Sequence, residues 1–324
     1  MIDLSIIVVC YKGWARLTKC LESLDSFTGK YFSSEVIVVD NKSEDAAIED
    51  IKAKFPRLTF IENEVNGGFG NGNNLGVKSA SGEFLLFLNP DTVGTEAAIE
   101  KLVETVRDNP SYGIVSCRQV NERGKESVAS GPFPHLFNLT GLQRLILRSR
   151  TPHAARRTPD MTFPDWISGS VVLIKKEVFE KINGFDEDFW MYFEDVDICR
   201  RVRNIPLEVA CCTNVVIEHN HGGSSRIDLK TASLTKTEVH ISRHVYISKH
   251  KRGFNKCLIQ SFLIINNIVN GFVTGLVGLL LFFIPKIFIR TVIFLRLIKY
   301  YFSALIRFSW ISPGSVNYKT VKKH

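Results

Sequence analysis

The sequence predicts an α/β fold on a mostly parallel sheet flanked by helices, followed by an apolar helical tail. Three observations carry that reading. Short β-branched runs recur through the first half, segments of helical spacing separate them, and the composition turns basic and apolar near residue 240. The runs at 5–11, 35–40, 58–62, 83–88 and 113–117 read as strands. Two of them contain Ile6-Ile7-Val8-Val9 and Val36-Ile37-Val38-Val39, apolar without alternation, as in a sheet covered on both faces. Residues 14–27, 46–55, 73–79 and 96–107 have helical spacing, so the order is βαβα and the sheet is doubly wound. A second block adds a strand at 171–175, a helix at 176–182, an acidic segment at 186–197 leading into a helix, and a strand at 207–212. It completes a single domain expected over residues 1–240, leaving 241–324 as a helical membrane-association region.

The composition, 45% hydrophobic and 23% charged over 324 residues, is that of a globular chain and excludes a disordered, collagen-like or disulfide-scaffold protein. Seven cysteines without a CxxC pair indicate neither a disulfide framework nor a cysteine zinc site, and fit a reducing compartment. The net charge of +8 is unevenly placed: the first 238 residues hold 28 basic and 33 acidic side chains, the last 86 hold 13 basic and none acidic. Basicity therefore belongs to the tail, where residues 257–285 form 29 uncharged positions. Cationic and apolar character together point to anionic lipid, and no nucleic-acid partner is expected.

Within the tail, Gln260, Asn266, Asn267 and Asn270 interrupt the apolar run, Pro285 ends it, and Lys286, Arg290, Arg296, Lys299 and Arg307 punctuate the next. Positive charge on both sides favours peripheral or monotopic attachment at the cytoplasmic face, with a single span as the alternative. Met1-Ile2-Asp3 lacks the positive start of a signal peptide, so the body is expected to stay cytoplasmic. The prolines and five arginines of residues 127–159 read as a mobile basic loop, in which Arg144, Arg148, Arg150, Arg156 and Arg157 suit an acidic acceptor or simply solvent.

Five segments carry candidate chemistry. The second strand delivers Asp40, Asn41 and Ser43 at its C-terminal end, where open α/β sheets bind ligands; capping the next helix is an equal reading. The run from Asn66 to Gly76 is dense in Gly and Asn, which suits backbone approach to a diphosphate or a structural turn. Asp91 follows a buried strand and suits a divalent cation or a turn. Glu194, Asp195 and Asp197 follow an aromatic run, fitting either a general base or the charged first turn of a helix. His219 stands before Gly222-Gly223-Ser224, where an imidazole can ligate a metal or contact phosphate.

Taken together and in order, the segments SIIVVCYKG (5–13), VIVVDNKS (36–43), NGGFGNGNNLG (66–76), FLLFLNPDT (84–92), the long block 166–201 and the late histidine resemble a family 2 glycosyltransferase of the GT-A fold, near its rhamnosyltransferase-like members. The resemblance covers residues 3–226. It implies a Rossmann-like sheet and an inverting transfer of a sugar, L-rhamnose by this likeness, from a nucleoside diphosphate sugar to a hydroxyl of a lipid-linked or polysaccharide acceptor in bacterial cell-surface glycan synthesis. By it, Val9, Tyr11, Asp40 and Asn41 contact the nucleoside, and Asn66, Gly67, Gly68, Phe69, Gly70 and Asn74 line the nucleotide. Asp91 holds Mg²⁺ or Mn²⁺ with His219, Asp195 is the base, and Trp166, Ser168, Gly169 and Glu194 line the sugar or acceptor pocket. One departure stands out: the DxD metal motif reads Asn89-Pro90-Asp91. That substitution motivates an alternative, an inactive nucleotide-sugar-binding scaffold. A nucleotidyltransferase, the other alternative, lacks its basic signature near the first strand.

Overall fold

The computed structural model describes residues 2–30, 32–136, 138–139, 156–220 and 228–319. In chain order its elements are β1 (Leu4–Cys10), α1 (Trp14–Asp25), β2 (Ser34–Asp40), α2 (Ala47–Lys54), β3 (Thr59–Glu62), α3 (Gly68–Val77), β4 (Phe84–Leu88), β5 (Thr92–Val93), α4 (Glu96–Asp108) and β6 (Tyr112–Val120). Then follow β7 (Ser130–Gly131), β8 (Arg156–Arg157), β9 (Met161–Phe163), β10 (Trp166–Ile167), β11 (Val171–Lys175), α5 (Lys176–Lys181), α6 (Glu194–Asn204) and β12 (Glu208–His219). The helices α7 (Leu229–His250), α8 (Gly253–Leu280) and α9 (Pro285–Arg307) come last. Among the described residues, one compact unit takes those within Met1–Phe133, Pro152–Asp186 and Glu194–Ser224, and a second takes those within Pro134–Thr151, Glu187–Phe193 and Ser225–His324. The expected boundary at residues 240/241 lies inside α7.

In the first unit the sheet runs β3-β2-β1-β4-β11-β6-β12-β9-β8. Strands β3, β2, β1 and β4 are mutually parallel, β11 is antiparallel to both β4 and β6, and β12 returns parallel to β6. Both faces are covered, as the unbroken apolar runs require: Ile6 and Val8 enter one core cluster while Ile7 and Val9 enter the other. Helix α4 starts where Thr95 accepts the Ala98 N–H through its hydroxyl at 3.2 Å, and buries Ile99, Leu102, Val103 and Val106. The strand expected at 207–212 extends to His219, and its distal end pairs with β5. That extension escapes a hydropathy reading because Asn214, Val216 and Glu218 alternate outward at the sheet's end.

The second unit is built on α7, α8 and α9. Helix α8 carries the amides that interrupt the apolar run, their side chains accommodated on two faces. Gln260 donates to the His244 carbonyl at 2.9 Å, and Asn267 donates to the Tyr301 hydroxyl at 2.8 Å. On the exposed side Asn270 donates to Asn266 at 2.8 Å.

Candidate active site

Strand direction gathers the candidate residues at one edge of the first unit's sheet. Cys10 lies opposite Asp40, and Val8 opposite Leu88, so Tyr11, Asn41 and Asn89-Pro90-Asp91 all follow parallel strands out at their C-terminal ends. Antiparallel β11 enters at that same edge, with Val171 opposite Leu88, which brings in Ser168-Gly169-Ser170. His219 reaches the edge through its pairing with Thr92. Asp195, in the first turn of α6, joins them because its Oδ2 accepts the Gly169 N–H at 3.0 Å while Oδ1 accepts the Val196 N–H at 2.8 Å.

At one corner His219 Nε2 faces Asp91 Oδ1 at 3.3 Å and Asn89 Nδ2 at 3.3 Å. Its Nδ1 lies 2.8 Å from Gln119 Oε1, an oxygen that also accepts from Ser170 Oγ at 2.7 Å. With the proton on Nδ1, the Nε2 lone pair and the Asp91 carboxylate point at each other, and a cation between them relieves the repulsion. The Arg16 guanidinium stands 3.5 Å from Asp91 Oδ2 and also donates to the Asn220 carbonyl. Among the described residues no three His, Cys, Asp or Glu side chains group to hold a metal. The donor set therefore fits a divalent ion of the kind bound by one carboxylate, with substrate phosphates and water supplying the rest. A cavity of about 260 Å³ opens beside it, lined by Arg16, Lys19, Asp91, Val93, Asn121, Glu122 and Asn220.

The Gly-Asn run corrects one expectation. Most of it is helical: α3 begins at Gly68, five residues before the expected helix start at 73. The glycines serve close packing, since a Cβ on Gly72 would meet Val9 Cγ1 at 2.7 Å and one on Gly76 would meet Ile7 Cγ2 at 2.7 Å. Val9 accordingly presents its side chain to α3. The amides are tied within the protein: Asn41 donates to Asn66 Oδ1 at 3.1 Å and to the Gly68 carbonyl at 3.0 Å, and accepts from Asn63 at 2.9 Å. Asn74 grips the Phe185 backbone, donating to its carbonyl and accepting from its N–H, both at 2.9 Å. Gly67 lies against Asn71, Gly70 against Phe185, and the Phe69 ring lies edge-on to Phe185 beneath Gly169.

Asp40 does not cap the next helix: α2 starts after Ala46 without a side-chain cap, and the Asp40 carboxylate closes a turn onto Ser43 instead. Ser43 donates its backbone N–H at 3.2 Å and its hydroxyl at 2.5 Å to Asp40 Oδ1, and Ser43 Oγ accepts the Lys12 N–H at 2.8 Å. Lys12 and Gly13 both take positive φ there, turning the chain sharply from β1 into α1 beside Tyr11. Trp166 donates to the Pro132 carbonyl at 2.8 Å, and Ser168 Oγ lies 3.0 Å from Ser170 Oγ. Glu194 is buried. Asp197 is also buried, pairing at 2.7 Å with Arg201, whose guanidinium holds the Ile182 and Gly184 carbonyls: a structural pair.

Sequence reasoning missed Arg16, Gln119, Ser170 and Asn220, which no local pattern marks. Six cysteines are buried and Cys257 is exposed. Burial, then the nearby Asp91 charge, pushes the Cys20 thiol up to about 12, so it stays protonated beside the site although the Thr92 hydroxyl opposes the shift. In the basic stretch Arg156 pairs with Glu208 at 2.6 Å and stacks on Phe163, and Arg157 is exposed. Arg144, Arg148 and Arg150, and Gly222-Gly223-Ser224 after His219, lie outside the described residues.

The family model described as glycosyl transferase family 2 matches residues 5–183, and that described as the N-terminal domain of galactosyltransferase matches residues 150–221. The chain is 29% identical over 224 residues, 67% of each protein, to the low-salt glycan biosynthesis hexosyltransferase Agl10 of Haloferax volcanii. It is 24% identical over 217 residues, 61% of this chain and 70% of the relative, to the N-acetylglucosaminyl-diphospho-decaprenol L-rhamnosyltransferase of Mycobacterium tuberculosis. Among solved structures, the mannosyltransferase PcManGT from Pyrobaculum calidifontis, in complex with GDP-Man and Mn²⁺, superposes with a TM-score of 0.51 at 17% identity, covering 84% of this chain and 73% of that one. The fold is of that GT-A type.

Proposed function

Because the chain belongs to glycosyl transferase family 2, we propose that it moves L-rhamnose from a nucleoside diphosphate to a hydroxyl of a lipid-linked or polysaccharide acceptor, in synthesis of a cell-surface glycan. It is a hexosyl-type glycosyltransferase; the sugar and acceptor are our reading, supported by the rhamnosyl transfer and diphospho-lipid in the mycobacterial relative's name. The observation that carries the mechanism is the meeting of Asp91 with His219 at the sheet edge that also receives Asp195 through Gly169.

In this reading Val9, Tyr11, Asp40, Asn41 and the Asn66–Asn74 segment form the nucleotide side, and Trp166, Ser168, Gly169 and Glu194 the sugar and acceptor side. Asp195, ionised, takes the proton of the acceptor hydroxyl. The oxygen bonds to the anomeric carbon from the face opposite the diphosphate as the carbon–oxygen bond to the diphosphate breaks, inverting the centre. The Gly169 and Val196 N–H groups fix both carboxylate oxygens of Asp195 for that transfer. Asp91 and His219 would hold Mg²⁺ or Mn²⁺, which when bound supplies positive charge for the departing diphosphate. The second unit, with its exposed Phe, Ile and Leu and its basic residues, attaches the enzyme at the cytoplasmic face of the membrane.

A panel of nucleoside diphosphate sugars with membrane-extracted acceptor and Mn²⁺ tests the reading: rhamnosyl transfer is expected, and transfer of another sugar alone removes the donor assignment. The single carboxylate at residues 89–91 favours one competing reading, a binding scaffold without turnover. Donor binding with no transfer to any acceptor would select it.

A further inference from the structure

Helix α8 buries one face and exposes apolar side chains on the other, most broadly in its second half, where Val273, Val277 and Leu279 are exposed as well. Its buried positions include Gln260, Asn267, Gly275 and Gly278. Gln260 bonds the His244 ring and backbone carbonyl, and Asn267 bonds His240 Nδ1 at 3.0 Å and the Tyr301 hydroxyl at 2.8 Å. Further along, glycines let α9 come close: a Cβ on Gly271 would meet Phe294 Cδ2 at 2.6 Å, and Thr291 donates to the Gly275 carbonyl at 2.7 Å. The opposite face exposes Phe262, Ile265, Val269, Phe272, Leu276 and Leu280, spaced three or four apart in one continuous stripe. At 1.5 Å per residue α8 is roughly 42 Å long, more than the ~30 Å of a hydrocarbon core.

Length and hydropathy alone would let α8 cross a membrane. Its partners oppose that. A crossing would carry Gln260, Asn267 and the bonded His240 and His244 into hydrocarbon, together with α7, whose Lys236 and Lys249 are exposed. A stripe on one side and anchored amides on the other is the pattern of a helix lying in an interface. Charge names the occupant. No acidic residue follows Glu238, and Arg252, Lys286, Arg290 and Lys299 are exposed on the same unit. A second copy would bring like charge against these cations; an anionic bilayer neutralises them.

We propose that α8 lies in the plane of an anionic bilayer, its apolar stripe immersed in one leaflet and its amide face turned to α7 and α9. This rests on the membrane-attached reading above and fixes its topology. The test uses the full chain with Cys257→Ser and single cysteines replacing Leu258, Val269 or Leu280, which lie eleven residues apart on the stripe, each carrying an environment-sensitive fluorophore. The remaining six cysteines are buried and should resist labelling. With phosphatidylglycerol vesicles, quenching by lipids brominated at graded depths is expected to place all three labels at one shallow depth. Replacing the vesicles by neutral phosphatidylcholine, or introducing Lys286→Glu with Arg290→Glu, is expected to weaken flotation at least tenfold.

A label at Val269 near the bilayer centre, with Leu258 and Leu280 at opposite interfaces, overturns the in-plane arrangement while leaving membrane attachment intact. Failure of the unlabelled wild-type chain to float with any vesicle removes the attachment itself. Labels shielded in vesicle-free solution by concentration-dependent dimerisation, with no flotation, assign the stripe to a second copy. Val269→Asp with Phe272→Asp changes only exposed positions and should abolish flotation with circular dichroism unchanged.

Discussion

Two histidines in this chain use the same first partner and reach different ends. His219, in the first unit, sets Nδ1 against the amide oxygen of Gln119, and His244, in the second, sets Nδ1 against that of Gln260. The second nitrogen makes the difference. That of His219 faces the Asp91 carboxylate beside a cavity, whereas that of His244 is closed off by the Tyr301 hydroxyl at 3.0 Å, with Trp310 stacked on the ring at 4.9 Å. One imidazole turns that nitrogen toward a carboxylate and the Asn89 amide; the other is enclosed by a hydroxyl and packed rings. A histidine–glutamine pair is therefore not a signature of function, and what meets the remaining nitrogen decides.

If the contrast holds, substitutions around His219 should cost chemistry and those around His244 stability. The largest expected effect is that of Asp195→Asn, which should lower kcat about 10²- to 10⁴-fold, the usual weight of a general base, with donor affinity by calorimetry unchanged and only a small fall in Tm from the one N–H acceptor lost. Asp91→Asn removes the one carboxylate at the cation corner. Mn²⁺ affinity by titration calorimetry and transfer rate should both fall by about 10- to 100-fold, and chelation of the wild type should match it. Equal activity with and without chelator would erase the functional half of the comparison.

The second unit should answer to pH instead. Burial, and lesser repulsion from Arg243 and His240, lowers His244 from 6.5 to about 4, against the opposing Gln260 bond; burial likewise lowers His240 to about 4. The folded state keeps these rings neutral while the unfolded chain protonates, so stability is full above about pH 6.5 and drains as pH falls toward 4, on the order of 3 kcal/mol per ring. Denaturant titrations from pH 7.5 to 4.5 should show this acid limb. Glu238, raised by burial to about 7, adds the opposite limb, losing stability as pH rises from 4.5 through 7, and Glu238→Gln should flatten it. A smaller effect follows from Gly72→Ala, whose methyl meets Val9 Cγ1: roughly 1–3 kcal/mol of stability, read as a lower Tm.

Much of the architecture can be read in advance because its causes are local. β-Branched runs such as Ile6-Ile7-Val8-Val9 are strands wherever both faces are covered, and β1, β2 and β4 begin and end within a residue or two of the expected limits. The residues 66–76 resist reading for a physical reason: glycines that admit a ligand and glycines that admit Val9 and Ile7 look alike in a sequence. Asn41 and Asn74 carry the same ambiguity, polar in type yet engaged by neighbouring backbone. Gln119 and Arg16 are legible only once β6 and α1 are brought to the sheet edge, because their meaning comes from His219 and Asp91, which are remote in the chain.

The position of β11 has a consequence for the newborn chain. This strand fills the place between β4 and β6, so while a ribosome is still making residues 89–170 the outer edge of β4 has no partner. At ordinary elongation speeds of about 5–20 residues per second the wait is several seconds, with Phe84–Leu88 offering an apolar, ungated edge to any passing polypeptide. That seam closes only when β11 has been made and inserts between the two strands.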